Sequence, residues 1–226
     1  MSSTKPRELA RLDRVPLPIE AARIGVTGWQ LTRTGGRVLS KIAGRGRFQD
    51  KVLQEIPQTF ADLGPTYVKF GQIIASSPGA FGEQMSRQFR GLLDSVPPAD
   101  TEEVHKLLKE ELGGEPSELF ASFEEEPFAS ASIAQVHFAT LHTGEEVVVK
   151  IQRPGIRRRV AADLQILKRF AQAVELAKLG RRLSAQDVVA DFSDNLAEEL
   201  DFRLEAQSMD AWISHLRNSP LGRNIR

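Results

Sequence analysis

The run Val147-Val148-Val149 lies between a turn at His142-Thr143-Gly144 and the breaker Arg153-Pro154-Gly155. Three consecutive β-branched residues resist helix and suit a pleated surface, and the lack of polar alternation predicts a strand covered on both faces. Two shorter strand-like segments precede it, around residues 123–128 and 135–141. On either side of this island the apolar period is helical. Phe48, Val52, Ile56 and Phe60 recur every four residues, with Pro57 as the expected point of interruption. Gly64-Pro65 opens a second helix, and a third over residues 83–93 stops before Val96-Pro97-Pro98. Asp100 with Glu103 marks a capping-box start for a helix through Leu112, which Gly113-Gly114 end. Beyond the strands, Ile156, Val160, Leu164, Leu167 and Val174 set a helix over residues 156–179, and Ser184 with Asp187 starts another that runs towards residue 217. A small sheet among helices is an α+β fold.

At 226 residues the chain is one ordinary domain or two small ones, and 41% hydrophobic with 27% charged residues is a globular composition, not a disordered one. The absence of cysteine removes a disulfide scaffold, a thiolate zinc site and a cysteine nucleophile. The four histidines, His105, His137, His142 and His215, lack i,i+4 spacing, so no metal site is expected. No apolar run reaches bilayer length, and the opening MSSTKPRELARLDR has no secretory apolar region. The expected location is therefore cytoplasmic.

The formal net charge is zero, but it divides into blocks. Residues 1–60 hold eleven Lys/Arg and five Asp/Glu, and residues 145–182 hold ten and four, each a net of +6. Residues 100–127 carry −8 and residues 183–210 carry −7. Such blocks are mostly solvated helix faces that pair in the fold, and secondarily surfaces for phosphate or anionic lipid. Residues 1–20 have three prolines and no period, and six glycines between Gly25 and Gly46 weaken an otherwise amphipathic pattern. The chain thus divides into a basic, glycine-containing extension (1–46), a helical segment (47–114) and a strand-bearing segment (115–226).

Strand, small-residue loop, strand, turn and a strand ending in Val-Val-Val-Lys is the opening of a kinase-type nucleotide lobe, with Lys150 as the lysine that reaches phosphate. A lysine closing a strand is by itself usually just a soluble end. Where a glycine-rich loop would sit, the chain reads Pro127-Phe128-Ala129-Ser130-Ala131-Ser132-Ile133-Ala134-Gln135-Val136. Alanine and serine keep the loop small but give up positive φ, so it is stiffer than its glycine counterpart. No G-x-S-x-G and no Walker A occur, and Asp191-Phe192-Ser193 falls inside a helical run, where a D-F-G motif has no role. Arg157-Arg158-Arg159 reads as a solvated helix end, so no nucleic-acid partner is expected.

Four blocks in order make the resemblance specific: Leu63 to Gln72 (K-x-G-Q), Ala129 to His137, Val149 to Gly155, and Glu199 to Ala206 (E-x-D). Together they resemble the UbiB/AarF family of atypical kinases. The resemblance implies the N-terminal lobe of an atypical protein-kinase-like fold with a helical N-terminal extension. It implies a nucleotide site of Ala129, Ser130, Ala131, Ser132 and Lys150, with Glu205 paired to Lys150. Lys69, Gly71 and Gln72 belong to a helix that covers the pocket, and Lys69 meets Glu199 of the Glu199/Asp201 pair. On one regular helix these two carboxylates differ by about 200°. Either the chain bends near Leu200, or Glu199 faces the Lys69 helix while Asp201 faces elsewhere.

The implied cofactor is ATP or ADP with Mg²⁺. The metal ligands and the acceptor-orienting Asp belong to a second lobe, and no recognisable counterpart follows in the 76 residues after Lys150. By the resemblance the second lobe is expected to be missing and the catalytic set incomplete, so the chain reads as the N-terminal half of a longer protein. The implied role is a kinase-like ATPase supporting isoprenoid-quinone or related lipid metabolism. The alternative is a non-catalytic module that binds nucleotide or an anionic membrane surface at the periphery.

Overall fold

The computed structural model describes residues 17–42, 48–91, 97–176 and 184–217. Helix α1 (Leu17–Ile42) is followed by α2 (Phe48–Leu63), α3 (Pro65–Ser76), α4 (Pro78–Phe81), α5 (Glu83–Phe89), α6 (Thr101–Leu112) and α7 (Pro116–Leu119). A four-stranded sheet of β1 (Ser122–Phe123), β2 (Ala129–Ser130), β3 (Ala134–Thr140) and β4 (Glu146–Gln152) comes next. Helices α8 (Ile156–Leu176), α9 (Ala185–Glu199) and α10 (Phe202–Arg217) complete an α+β architecture.

The sheet is antiparallel and built on β3, which pairs along its whole length with β4, from Ala134↔Gln152 to Thr140↔Glu146. Its other edge takes β1 at one end (Ser122↔Thr140) and β2 at the other (Ala129↔Val136). The single strand expected over 123–128 is therefore two short ones. Between them lie three glutamates and Pro127, which has no N–H to give a ladder. The Val147–Val149 strand is not covered on both faces either. Ile151 and Val149 pack towards Val104 and Leu108 of α6, while Val148 on the opposite face is 60% exposed. A β-branched run reports strand preference, and the cover on each face depends on what packs there.

Asp100 caps α6 by accepting from the N–H groups of Glu102 and Glu103, and Gly113 ends it in the left-handed conformation. Helix α2 runs unbroken through Pro57. The lost backbone bond is outweighed by the packing of Ile56 and Phe60 on the main core, one turn apart. The third expected helix ends earlier, at Phe89, and the run expected from Ser184 to 217 divides at Leu200. One apolar cluster joins α2 and α3 to α8 and α9, centred on Phe70, Phe89, Val160, Phe192 and Leu196. It draws on both the 47–114 and 115–226 segments.

The glycine-containing extension includes a 26-residue helix whose inward stripe is tied to the fold by side-chain bonds from Arg23, Thr34 and Arg37. That stripe is polar: Arg23, Thr27, Gln30, Thr34 and Arg37, spaced four, three, four and three. Arg37 pairs with Asp62 at 2.8 Å and Glu55 at 2.9 Å, and the Thr34 and Thr59 hydroxyls are 2.7 Å apart. Ile24, Val26, Trp29 and Leu31 are exposed instead. The side chains of Val38 and Ile42, also counted on the apolar pattern, lie outside the described residues. No helix among the described residues is long and apolar enough to cross a membrane.

Candidate functional site

Strand alternation carries the site. Val148, Lys150 and Gln152 share one face of β4, and their partners on β3 are Phe138, Val136 and Ala134. This is the open face: Phe138 is 43% and Val148 60% exposed, and the Phe128 ring lies on Phe138 with centroids 4.8 Å apart. A cavity of about 440 Å³ adjoins them, lined in part by Ser122, Thr140, Glu146 and Val148. Lys150 Nζ lies 2.6 Å from Glu205 Oε2 and 4.7 Å from the centre of the Phe202 ring. The distance is a charge-assisted hydrogen bond, within the reach expected of the pair. Glu205 sits in the first turn of α10, where a carboxylate also meets the positive end of the helix dipole.

The chain does bend at Leu200, and the two E-x-D carboxylates diverge. Glu199 ends α9 and pairs with Lys69 of α3 at 2.8 Å. Asp201 starts α10, accepting from the Arg203 N–H at 3.1 Å and from Arg203 Nε at 2.8 Å. The Arg203 hydrogen bond, helped by that N–H and by the nearby arginine charges, holds the Asp201 carboxyl below its ordinary value against desolvation. Asp201 therefore serves the helix start and not the Lys69 contact. In α3, Gly71 is buried and Gln72 half-buried, one turn along from Lys69.

Ala129 and Ser130 form β2, Ala131 N–H donates to Ala134 at 2.9 Å, and Ser132 is buried. The loop is braced by a residue that the sequence reading left without a role. Arg153 Nε donates to the Ala131 carbonyl at 2.8 Å and Nη2 to the Ser130 hydroxyl at 2.7 Å. The signal was present, since Arg153 directly follows the lysine-bearing strand inside a matched block. The aromatic pair Phe128 and Phe138 was likewise unassigned, although Val148 at two residues from Lys150 had to share its face.

A third unassigned feature is a buried anion. Asp163 has no exposed surface and accepts from Arg23 Nε at 2.8 Å and the Thr66 hydroxyl at 2.7 Å. Arg23 Nη2 also donates to the Leu63 carbonyl at 3.1 Å, so α1, the α2–α3 corner and α8 meet at one point. Burial pushes the Asp163 carboxyl up, and Thr66 and Arg23 pull it back. Burial and the Asp163 charge push the neighbouring Tyr67 phenol up to about 12. Thr66 stands one turn before Lys69, so this knot fixes the start of the helix that carries Lys69.

Among the described residues no three His, Asp or Glu side chains gather as a metal site would require. The donors present suit a phosphate and a flat ring: one fixed ammonium on an open face and two exposed aromatics beside it. They do not suit Mg²⁺, because Glu199, Asp201 and Glu205 each engage a cation.

A family model described as the ABC1 atypical kinase-like domain matches residues 91–225. An uncharacterized protein of Mycobacterium tuberculosis is 79% identical over 226 residues, all of this chain and 46% of that protein. The probable protein kinase UbiB of Azotobacter vinelandii is 42% identical over 161 residues, 71% of this chain and 30% of that protein. Among solved structures, a Mycobacterium tuberculosis protein in complex with erythromycin is 28% identical, with a TM-score of 0.47 over 85% of this chain and 44% of that one. The chain thus spans about half the length of its Mycobacterium relative and under a third of UbiB. With the family match covering more than half of its residues, the chain belongs to the ABC1 atypical kinase-like family.

Proposed function

We propose that the open face around Lys150 is the adenine-nucleotide site of a UbiB-like atypical kinase or ATPase. The observation that carries the reading is the Lys150–Glu205 pair at 2.6 Å on the face that also exposes Phe128, Phe138 and Val148. Phosphates lie towards Lys150 and the Ala129–Ser132 loop, and the base lies against the apolar side. Glu205 keeps the ammonium from wandering, which matters because phosphoryl transfer depends on positioned charge. By the family resemblance the α3 helix with Lys69, Gly71 and Gln72 would cover the site; it is tied to the end of α9 through Lys69 and Glu199 while the sheet face stays open. Glu199, Asp201 and Glu205 would not hold Mg²⁺; bound with the nucleotide, the metal would neutralise phosphate charge. The name of the UbiB relatives supports a role in isoprenoid-quinone or related lipid metabolism for the protein to which this lobe belongs.

Equilibrium titration of the purified chain with a fluorescent ADP analogue tests the site. Saturable binding is expected, and Lys150→Ala weakens it about tenfold or more, some 1.4 kcal/mol. Equal affinity in the two proteins, or no saturable binding at all, overturns the reading.

A second reading, binding to an anionic lipid surface, is favoured by α1. Its outward Ile24, Val26, Trp29 and Leu31 are exposed, and the Arg33 guanidinium stands 5.5 Å from the Trp29 ring. Co-sedimentation with phosphatidylserine-containing vesicles should exceed that with neutral ones and fall in Trp29→Ala. Equal binding to both lipids, or none, defeats it.

A further inference from the structure

The corner between α9 and α10 is held from outside its own helices. The Leu200 carbonyl, at the C-terminal end of α9, accepts from Arg157 Nη2 at 2.6 Å and from Gln152 Nε2. Arg157 Nε donates to Gln152 Oε1 at 3.1 Å, closing a triangle of side chain, side chain and backbone. A helix C-terminus carries partial negative charge, so its last carbonyl is a good acceptor for a guanidinium. Gln152 lies two residues beyond Lys150 on the same face of β4. The strand therefore grips the α9–α10 segment twice, Gln152 at Leu200 and Lys150 at Glu205.

The grip matters because, among the described residues, α10 buries no side chain fully. The Leu200 side chain is 1% exposed and Phe202 packs beside it, but α10 itself has no buried residue. A helix without a buried face takes its direction from the point where it leaves the fold. A small rotation at Leu200 would swing Glu205, more than one turn along, off Lys150.

We infer that Gln152 and Arg157 are positioning residues, whose shared hold on the Leu200 carbonyl keeps Glu205 on Lys150. The functional consequence rests on the nucleotide reading above, but the positioning itself does not. Its test therefore needs no nucleotide. Trace labelling with acetic anhydride, followed by peptide mass spectrometry, reads how firmly the Lys150 amine is engaged. Glu205→Gln should raise Lys150 labelling several-fold. Gln152→Met and Arg157→Met should each raise it in the same direction, and neither should add anything in the Glu205→Gln background. Lys109, paired with Glu115 at 2.7 Å on a different helix, serves as the internal control and should not change.

Wild-type labelling of Lys150 in both single variants overturns the inference, and so do effects that add to that of Glu205→Gln. If Arg157→Met does not fold, Gln152→Met remains informative, because it leaves the Arg157 bond to Leu200 in place. Arg157→Lys, which keeps a donor, should restore part of the wild-type protection. A chain that binds no nucleotide yet shows this labelling pattern sinks the nucleotide reading and upholds the positioning role.

Discussion

Asp163 is a carboxylate with no exposed surface, and its partners lie 97 and 140 residues away along the chain. Removing one member of a buried ion pair leaves the other charge uncompensated, so Asp163→Ala should cost about 3–5 kcal/mol in urea unfolding. Asp163→Asn keeps an acceptor for Thr66 and should cost less. The Tyr67 hydroxyl, by contrast, is buried beside Thr27 and makes no well-aligned hydrogen bond among the described residues. Tyr67→Phe removes that unsatisfied group and should lie within about 1 kcal/mol of wild type or be more stable. A large loss in Tyr67→Phe would reveal a bond to the hydroxyl. At this scale the pairs Lys150 with Glu205 and Lys69 with Glu199 could be expected only through the resemblance to the family, because each joins residues far apart in the chain. Asp163 interrupts an apolar stripe between Ala162 and Leu164, which marks it as unusual. Nothing local to it names Arg23 or Thr66, because that pairing exists only after three helices have packed.

Helix starts were legible where capping is local chemistry, as at Asp100 and Ser184, and helix ends less so. The break at Leu200 follows from a carbonyl held by residues more than forty positions away, with Asp201 starting the next helix. Because the folded Asp201 carboxyl lies below its ordinary value, its contribution is present above the unfolded carboxylate pKa of about 4 and is lost as pH falls through the folded value. Asp201→Asn should therefore be less stable than wild type at neutral pH, and the difference should close in strong acid. Urea midpoints measured across that range decide it; a constant gap would mean that the Asp201 charge is not what holds the helix start. In α1 the amphipathic period could be read, but not which face turns inward. Apolar residues are the default inner face, and here arginines and threonines with waiting acceptors took that place.

For the whole molecule, the α+β class followed from the change of period around residue 123, and the family from four ordered blocks. The open sheet face was not legible, since a valine run looks the same whether one side or both are covered. Openness also bears on chemistry. Transfer of a phosphoryl group needs a held metal and an oriented acceptor as well as a fixed ammonium. This 226-residue chain should accordingly bind nucleotide without Lys150-dependent turnover when incubated with Mg²⁺ and labelled ATP. Hydrolysis that disappears in Lys150→Ala would show that the chain completes its own site. The segregated charge also finds partners across blocks: Lys150 of the basic 145–182 segment meets Glu205 of the acidic 183–210 segment. Helix α1 adds a thermodynamic consequence. Heat capacity and denaturant slope follow the surface newly wetted, apolar surface above all for the first. A helix attached mainly through guanidinium and hydroxyl contacts wets little hydrocarbon when it lifts away. Its departure is therefore a step with little change in heat capacity, distinct from the cooperative melting of the aromatic core beneath it.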